Sequence, residues 1–349
     1  MEKTKTVIVR LLSFVALVLA FVLTLQLLSF VFVPKSSQGH KGSYKNITNS
    51  FLAEDDNTVD VFVIGNSNVY RGVSPMAMWN ELGTASCVSG KALQKPKKAY
   101  ELLEKMYKHQ NPELVIIDTD MFFSSLGEKF TLRKLGESVK TVVKTVNACR
   151  KNFDDSVVSA MSYYYPVFKY HTRWQELAKA DFTDRKGSYR SAYKGFISDT
   201  AVEPYNGGYD YMTKGTDADR ISNSSVQCLD SMIELCKSKG SKVILIDVPS
   251  VEWNNVKHDE MKDYAKRNNL TFIDFNVQGS IPGFDWKTDT RDCGQHLNSY
   301  GAQKLTKTLC EMLEGEMNFP DRRGDSRFKS WDRALTEYHN ELNEGASSI

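Results

Sequence analysis

The sequence predicts an α/β fold in which a mainly parallel sheet of five strands lies between two layers of helices, in the flavodoxin-like arrangement. Two observations favour this fold. Short runs of β-branched and aromatic residues recur along the chain, and they lack the alternation of a strand with one wet face. Amphipathic helical patterns separate these runs, as expected of parallel strands joined by crossover helices. The predicted strands cover residues 59–64, 84–88, 113–120, 242–249 and 271–275.

The first predicted strand ends on a small polar turn. Residues 61–64 are apolar on both faces, Gly65 interrupts the run, and a new helix starts with Ser74 as its N-cap and Pro75 as its first residue. Ser67 therefore lies at the carboxyl end of a central strand, where open α/β sheets bind their ligands. A serine in this position can act as a nucleophile, although Asn-Ser-Asn is also an ordinary turn sequence.

The alternation of strands and helices stops between residues 121 and 219, which we predict to be an insertion within a domain of residues 59–316. The insertion begins with a helical pattern and ends as a long loop, a type of segment that is often functional. The alternation then resumes, and Asn298 is predicted to cap the last core helix. Residues 317–349 form a polar tail whose apolar residues recur at the spacing of an amphipathic helix.

The N-terminus carries an apolar segment that is long enough to cross a bilayer, which takes about 20 residues. Few polar residues interrupt the sequence from 7 to 33, and three basic residues precede its most apolar part. The positive-inside rule then predicts a cytoplasmic tip at 1–10, a transmembrane anchor at 11–33 and a polar linker at 34–58 that leads to an extracellular domain. A cleaved signal peptide is the alternative interpretation.

The composition excludes several classes of function. Lysine and arginine number 45 against 43 aspartate and glutamate, which leaves a net charge of +2 and no basic stripe for a nucleic acid. The six cysteines include no C-x-x-C pair, which disfavours a zinc or thioredoxin-like site. We therefore expect no metal, no cofactor and no nucleic-acid partner.

Residues that can support acyl transfer follow the predicted strands. Ser67 follows the first strand, Gly90 follows the second, and Asp292 and His296 lie just before the last core helix. A serine hydroxyl is a weak nucleophile until a base takes its proton, and histidine is a better base when a carboxylate holds it. Because the carboxyl ends of parallel strands share one edge of a sheet, we expect these residues to converge.

Three stretches of the chain resemble the SGNH hydrolases, also called the GDSL esterase and lipase superfamily. Gly65-Asn-Ser-Asn-Val-Tyr-Arg-Gly-Val-Ser-Pro75 is similar to the Gly-Ser-Ser-His-x-Tyr-x-Gly-Ile-x-Pro sequence of a membrane-anchored branch from Gram-positive bacteria. Lys169-Tyr-His-Thr-Arg-Trp174 and Asp292-Cys-Gly-Gln-His-Leu-Asn298 also resemble that branch. The resemblance covers roughly residues 59–314.

The resemblance implies a role for each matching residue. Ser67 would be the nucleophile, His296 its base and Asp292 the acid that orients the base. The backbone amides of Ser67 and Gly90 would then stabilise the charge that develops on the substrate carbonyl.

The spacing of the acid departs from the usual Asp-x-x-His of the superfamily, because Asp292 lies four residues before His296. Cys293 occupies the expected position of the acid. Asp289 is therefore a second candidate for this role.

A second departure concerns the oxyanion hole. The Gly-x-Asn-Asp block that normally supplies an asparagine is absent after the third strand, where Asp118-Thr-Asp120 stands instead. An ionised aspartate has no hydrogen to donate. Asn66, Asn68 and Gln94 are candidates for the missing donor, and a hole with only two donors is the alternative.

Three further side chains are candidates for substrate binding. Arg71 lies beside the nucleophile in the sequence, and His171 and Arg173 lie in an aromatic stretch of the insertion. A packed structural role is the alternative for each of them.

Topology and resemblance together predict an extracellular, membrane-anchored serine esterase or O-acyltransferase. Its substrate would be an acyl ester of a cell-envelope polysaccharide or a teichoic acid. The resemblance also implies a membrane-bound O-acyltransferase as partner. The missing donor and the shifted acid leave a second hypothesis open, in which the chain is a catalytically inactive glycan-binding or scaffold protein with the same fold.

Overall fold

The computed structural model of the chain describes residues 2–33, 47–123, 161, 165–183 and 189–347. Contacts divide the chain into two compact units. The helical unit consists of Met1–Ser36 and Thr131–Ser188, and the sheet unit consists of Ser37–Phe130 and Tyr189–Ile349. The helix predicted within the first part of the insertion lies outside the described residues.

Helices and strands alternate through most of the sheet unit. In chain order through the described residues of both units, the α-helices are α1 Glu2–Phe32, α2 Ser67–Gly72, α3 Pro75–Leu82, α4 Pro96–Met106, α5 Val167–Tyr170, α6 Lys179–Thr183, α7 Asn223–Ser238, α8 Asn255–Arg267, α9 Ser299–Glu314 and α10 Lys329–Ala346. The strands are β1 Val61–Gly65, β2 Ser86–Gly90, β3 Leu114–Asp118, β4 Lys242–Asp247, β5 Thr271–Asp274, β6 Thr290–Arg291 and β7 His296–Leu297.

Strands β1 to β5 form one sheet in the order β2-β1-β3-β4-β5, and every neighbouring pair is parallel. This is the strand order of the flavodoxin-like fold, so the predicted fold class is confirmed. Strands β6 and β7 pair separately as a short antiparallel ribbon. All five carboxyl ends of the parallel strands therefore lie along one edge of the main sheet.

Both faces of the sheet are buried, which explains why its strands are apolar at consecutive positions. One face, which includes Phe62, Ile64, Val115, Ile117 and Leu245, packs against apolar side chains of α4, α7 and α8. The other face, which includes Val61, Val63, Leu114, Ile116 and Ile246, packs against α2 and α9. The sheet thus forms the middle layer of three.

Two predicted helix caps are present. The hydroxyl of Ser74 accepts a hydrogen bond from the amide of Ala77 at the start of α3, and Pro75 is the first residue of that helix. The side chain of Asn298 accepts hydrogen bonds from the amides of Tyr300 and Gly301 at the start of α9. These caps satisfy amide groups that have no partner inside the helix.

Part of the segment predicted as a linker packs on the sheet unit. Phe51 is fully buried, and its ring meets that of Phe62 edge to face at 5.6 Å between centroids. Ile47 is also buried. The polar composition of residues 34–58 concealed these two apolar anchors.

Helix α10 packs against α3 through aromatic side chains. Trp331 lies 5.3 Å from Trp79 between ring centroids, and Asp332 accepts a hydrogen bond from the indole of Trp79 at 3.1 Å. Tyr338 is fully buried on the next turns of the same helix. The amphipathic pattern of the tail is therefore the pattern of a helix docked on the sheet unit.

In the described part of the helical unit, α1 is the helix that is long and apolar enough to cross a membrane. Its candidate span, Thr6–Phe32, has 27 residues and a mean hydropathy of 2.7 over its most apolar window. A signal sequence at an N-terminus can have the same length and composition.

Replacing Trp331 by alanine is expected to lower the free energy of unfolding of the full chain by about 3–5 kcal/mol, because it leaves a cavity between α3 and α10. Urea unfolding in detergent, followed by circular dichroism, measures the change. The exposed Asn340 on the same helix supplies the control, since Asn340→Ala is expected to change stability by less than about 0.5 kcal/mol. Equal effects of the two substitutions would show that α10 is not anchored by Trp331.

Candidate active site

The predicted nucleophile opens a helix. Strand β1 ends at Gly65, and Ser67 is the first residue of α2, a six-residue helix that the sequence pattern does not predict. The side chain of Asn66 caps α2 by accepting a hydrogen bond from the amide of Asn68 at 2.8 Å. Ser67 is half-buried, whereas Asn66 and Asn68 are buried. The cap holds the serine at the surface of a rigid turn.

Gly90, the predicted oxyanion residue, lies against this turn. It pairs with Gly65 in the parallel register of β1 and β2. A Cβ atom at position 90 would lie 2.7 Å from the carbonyl oxygen of Gly65 and 3.0 Å from that of Asn66, too close for any side chain. Only glycine therefore allows the end of β2 to lie beside the turn that carries Ser67.

The predicted base and acid are hydrogen-bonded. Nδ1 of His296 donates to Oδ2 of Asp292 at 2.9 Å. Helix α2 packs against β7, the strand that contains His296, so the nucleophile turn and the histidine lie on neighbouring elements. Asp289 is instead buried against Lys304, whose Nζ lies 2.7 Å from Oδ2. Of the two candidate acids, Asp292 is the one bonded to His296.

An unusual backbone turn accommodates the extra residue between the acid and the base. Asp292 and Cys293 both have φ of 53°, and Gly294 follows with φ of 89°. Consecutive non-glycine residues with positive φ are uncommon and cost about 1–3 kcal/mol each, so other contacts must hold this turn. This turn lets the carboxylate of Asp292 reach His296, which lies four residues later in the sequence.

Arg291 supplies such a contact. Its Nε and Nη2 atoms donate to the two carboxylate oxygens of Asp292 at 3.1 and 3.0 Å. Burial opposes ionisation of Asp292, but the hydrogen bonds from Arg291 and His296 outweigh it and lower the pKa of this carboxyl. Asp292 is therefore an anion at neutral pH.

A second arginine joins the same network. The carboxylate of Asp199 pairs with Arg291 and lies 3.7 Å from Nη1 of Arg71 on α2. Burial, followed by the charge of Arg71, lowers the pKa of His296 below its usual range, while Asp292 opposes this shift. The imidazole is consequently neutral at pH 7 and able to accept a proton. Arg71, predicted to bind substrate, contacts Asp199.

Asp120 organises the side chains around Ser67. Its Oδ2 accepts hydrogen bonds from the carboxamides of Asn66 at 2.7 Å and Asn68 at 3.4 Å. Its other oxygen lies 3.5 Å from Nζ of Lys257. Asp120 thus orients two amide groups, each of which keeps a second N–H.

A buried carboxyl lies directly behind the turn. Asp118 is fully buried, and neither of its oxygens has a well-formed hydrogen bond among the described residues. Burial and then the charge of Asp120 raise its pKa well above the usual range, although backbone amides lower it in part. A Cβ at Gly65 would lie 2.9 Å from one of its oxygens, so the glycine also makes room for this acid.

A second histidine–carboxylate pair is not apparent from the sequence. Nδ1 of His258 donates to Asp274 at 2.6 Å, and this hydrogen bond raises the pKa of His258. Trp253 donates to the same oxygen at 2.9 Å. The available signal was an aspartate that ends an apolar strand, because a carboxylate buried there requires partners. His258 on α8 is therefore half-buried and hydrogen-bonded to a carboxylate.

The remaining predicted substrate residues belong to the helical unit. His171 donates from Nδ1 to the carbonyl of Phe168 at 3.0 Å, and Arg173 is bonded to the carbonyl of Phe32. Their role in substrate binding stays a prediction. In the described ranges, no three His, Cys, Asp or Glu side chains converge as metal ligands.

Comparison with known proteins gives little further information. No family model matches the chain, and no curated protein matches it. Among solved structures, it is similar to a proposed acylhydrolase from Bacteroides fragilis NCTC 9343, with 14% identity, a TM-score of 0.37 and coverage of 79% of this chain and 98% of the other. It is also similar to a GDSL-like lipase from Bacteroides thetaiotaomicron VPI-5482, with 13% identity, a TM-score of 0.38 and coverage of 80% and 100%. These TM-scores are too low to establish a common fold, so the fold assignment depends on the strand order of the main sheet.

If Asp292 orients His296 as the base of an ester hydrolase, replacing it by asparagine is expected to reduce ester hydrolysis by about 10,000-fold, because the imidazole loses the carboxylate that fixes its tautomer. The rate of p-nitrophenyl acetate hydrolysis measures this effect. Asp289→Asn is the matched control, expected to keep the rate while lowering stability through loss of the contact to Lys304. A larger loss of rate in the control would transfer the role of the acid to Asp289.

Replacing Asp118 by asparagine is expected to stabilise the chain at neutral pH. The raised folded-state pKa means that Asp118 contributes stability below its unfolded pKa of about 3.9 and that this contribution is lost as the pH rises. As the pH rises, the free energy of unfolding of the variant should therefore exceed that of the wild type by up to about 1.4 kcal/mol more for each pH unit, until the carboxyl group ionises in the folded chain. Urea unfolding at about pH 5 and about pH 7 measures the gain.

The control for this experiment is Asp217→Asn, because the side chain of Asp217 is 94% exposed. Its effect on stability should not change with pH in this range. Parallel pH curves for wild type and Asp118→Asn would mean that Asp118 is ionised in the folded chain.

Proposed function

We propose that this chain is a membrane-anchored serine esterase or O-acyltransferase of the SGNH/GDSL type, which acts on acyl esters of a cell-envelope glycan. The observation that carries the proposal is the His296–Asp292 hydrogen bond on a strand packed against the helix that Ser67 opens. The close approach of Gly90 to the same turn supports it. These are the parts that acyl transfer through a serine requires.

In the proposed reaction, the hydroxyl oxygen of Ser67 attacks the ester carbonyl while Nε2 of His296 takes its proton. The carbonyl electrons move onto oxygen, and they return as the bond to the leaving alkoxide breaks and His296 gives it the proton. The products of this half-reaction are an acyl-serine and a free alcohol. A water or a sugar hydroxyl then reverses the steps, which gives hydrolysis or transfer respectively. Asp292 holds the imidazolium formed in each half-reaction.

The amides of Ser67 and Gly90 are the proposed donors to the carbonyl oxygen. The free N–H of the Asn66 or Asn68 carboxamide is the proposed third donor, oriented by Asp120. Removing one such donor typically lowers the rate about 100- to 1,000-fold. Asp120 would then act through the two asparagines as a positioning residue.

The location follows from α1. A continuous apolar helix preceded by basic residues favours an anchor with the rest of the chain outside the cell. A domain held there meets wall polysaccharides and teichoic acids first, which supports this substrate class. A membrane-bound O-acyltransferase is the proposed partner, since it would supply the acyl group for transfer.

One observation favours a second candidate function. Asp118-Thr-Asp120 stands where the resembled superfamily has the block with its donor asparagine, and Asp120 engages both neighbouring asparagines. If their remaining N–H groups do not reach the substrate, the same fold would serve as an inactive glycan-binding or scaffold protein.

Ser67→Ala is expected to abolish both p-nitrophenyl acetate hydrolysis and labelling by a fluorophosphonate probe, because the alanine cannot form the acyl-enzyme. Ser238→Ala makes the same chemical change at the exposed end of α7, which precedes the amino end of β4, and should leave both signals intact. If wild type and Ser67→Ala hydrolyse the ester equally slowly and neither is labelled, the inactive candidate replaces the esterase.

A further inference from the structure

The last turn of α1 is covered by residues 165–183, which we call the collar. The amide of Val167 donates to the hydroxyl of Ser29 at 3.2 Å, and Ser29 is only 7% exposed. Most apolar side chains earlier in α1 are exposed, with Leu17 at 67% and Leu23 at 58%. The collar is therefore attached to one end of an otherwise uncovered apolar helix.

Arg173 fixes this attachment. Its Nη1 donates to the carbonyl oxygen of Phe32 at 2.6 Å, which satisfies one of the carbonyls left without a partner at the end of a helix. Its other nitrogens lie 3.3 Å from a carboxylate oxygen of Asp181 and 3.6 Å from one of Glu176. Asp181 in turn accepts a hydrogen bond from the amide of Ala178 at 2.8 Å. The arginine thus connects the collar to the helix end with its charge balanced.

The length of α1 places this end at a membrane surface. The span of 27 residues corresponds to about 40 Å, whereas the hydrocarbon core is about 30 Å thick. If the core begins after Arg10, as the predicted anchor at 11–33 requires, about 20 residues fill it to about residue 30. Ser29 then lies at the outer boundary of the core and Phe32 just beyond it, at the depth of the headgroups. The two hydrogen bonds described above join the collar to α1 at these residues.

The outward surface of the collar has the composition of a membrane interface. Trp174 is 64% exposed and Phe182 is 57% exposed, although both are large and apolar. The ammonium group of Lys169 lies 5.3 Å from the ring centre of Tyr170. Tryptophan and tyrosine concentrate where lipid headgroups meet acyl chains, and lysine there extends its charge to the headgroups.

We propose that the collar lies in the outer headgroup region of the membrane that α1 spans, with Trp174 and Phe182 in contact with lipid. Arg173 is then a structural link to α1 rather than a substrate ligand. Signal-peptide cleavage after α1 would remove both of its attachment points, so the collar also favours a retained helix. This inference rests on the proposed membrane anchoring and is independent of catalysis by Ser67.

The tryptophans of the chain allow a direct test. Trp79, Trp253, Trp286 and Trp331 are each at most 5% exposed, so Trp174 is the tryptophan available to an external quencher. The full chain is reconstituted into phosphatidylcholine vesicles whose acyl chains are brominated near the glycerol. We expect a loss of about one-fifth of the emission, the share of one tryptophan among five, while aqueous iodide leaves it unchanged.

Two variants control the assignment. Trp174→Phe should remove the quenching by brominated lipid, and adding Phe182→Trp in that background should restore it. Emission that is quenched by iodide but not by brominated lipid, in both the wild type and the double variant, would overturn the collar and indicate a water-exposed or protein-binding face.

The same vesicles separate the possible failures. Alkaline carbonate that extracts the chain would overturn both the anchor and the collar. A chain that is retained but unquenched by lipid would overturn the collar alone. Labelling of Ser67 by the fluorophosphonate probe tests the catalytic proposal in either case.

Discussion

The candidate site depends on the close approach of two strand ends. Gly65 and Gly90 pair at the carboxyl ends of β1 and β2, and the carbonyl oxygens of residues 65 and 66 occupy the space that a side chain at position 90 would need. Parallel pairing in register brings these ends together, and the absence of side chains lets them touch. The helix that starts with Ser67 therefore begins at a fixed point, beside the backbone amide of Gly90.

Around this point, the acidic side chains differ in the number of hydrogen-bond donors that surround them. Asp120 accepts from two asparagines and lies near a lysine, and Asp292 accepts from an arginine and a histidine. Asp118 is fully buried and has only backbone amides near its oxygens, which favours its protonated form. Asp118 and Asp120 thus have different surroundings although they are only two residues apart. The end of β3 buries Asp118, whereas Asp120 lies beyond the strand and meets side-chain donors.

Much of the fold could be predicted because it follows from periodicity. Apolar runs without alternation indicated the five strands, and Ser74 and Asn298 were recognisable as helix caps. Ser67, Asp292 and His296 were predicted as site residues by resemblance and by their positions after strands. Asp289 remained a second candidate for the acid, because no spacing rule describes a loop with two successive left-handed residues.

What could not be predicted depends on contacts between distant parts of the chain. The link from Arg291 through Asp199 to Arg71 joins three segments that share no local pattern. The sequence presents Asp120 as a missing donor, and its function of orienting two asparagines is visible only once β3 lies beside β1. For Arg173 the sequence left substrate binding and a structural role open, since it does not show that residue 173 meets the end of a helix at residue 32.

The docking of α10 determines when the sheet unit can complete its packing during synthesis. Trp331 and Tyr338 complete a hydrophobic core whose other members begin at residue 51, and Gly345 lies so close to Thr200 that a Cβ there would meet it at 2.6 Å. A chain that is synthesised from its N-terminus exposes part of this core until residue 345 has emerged. The sheet unit therefore reaches its final packing only after the segment that contains α10 has been synthesised, and until then its unfilled core favours aggregation.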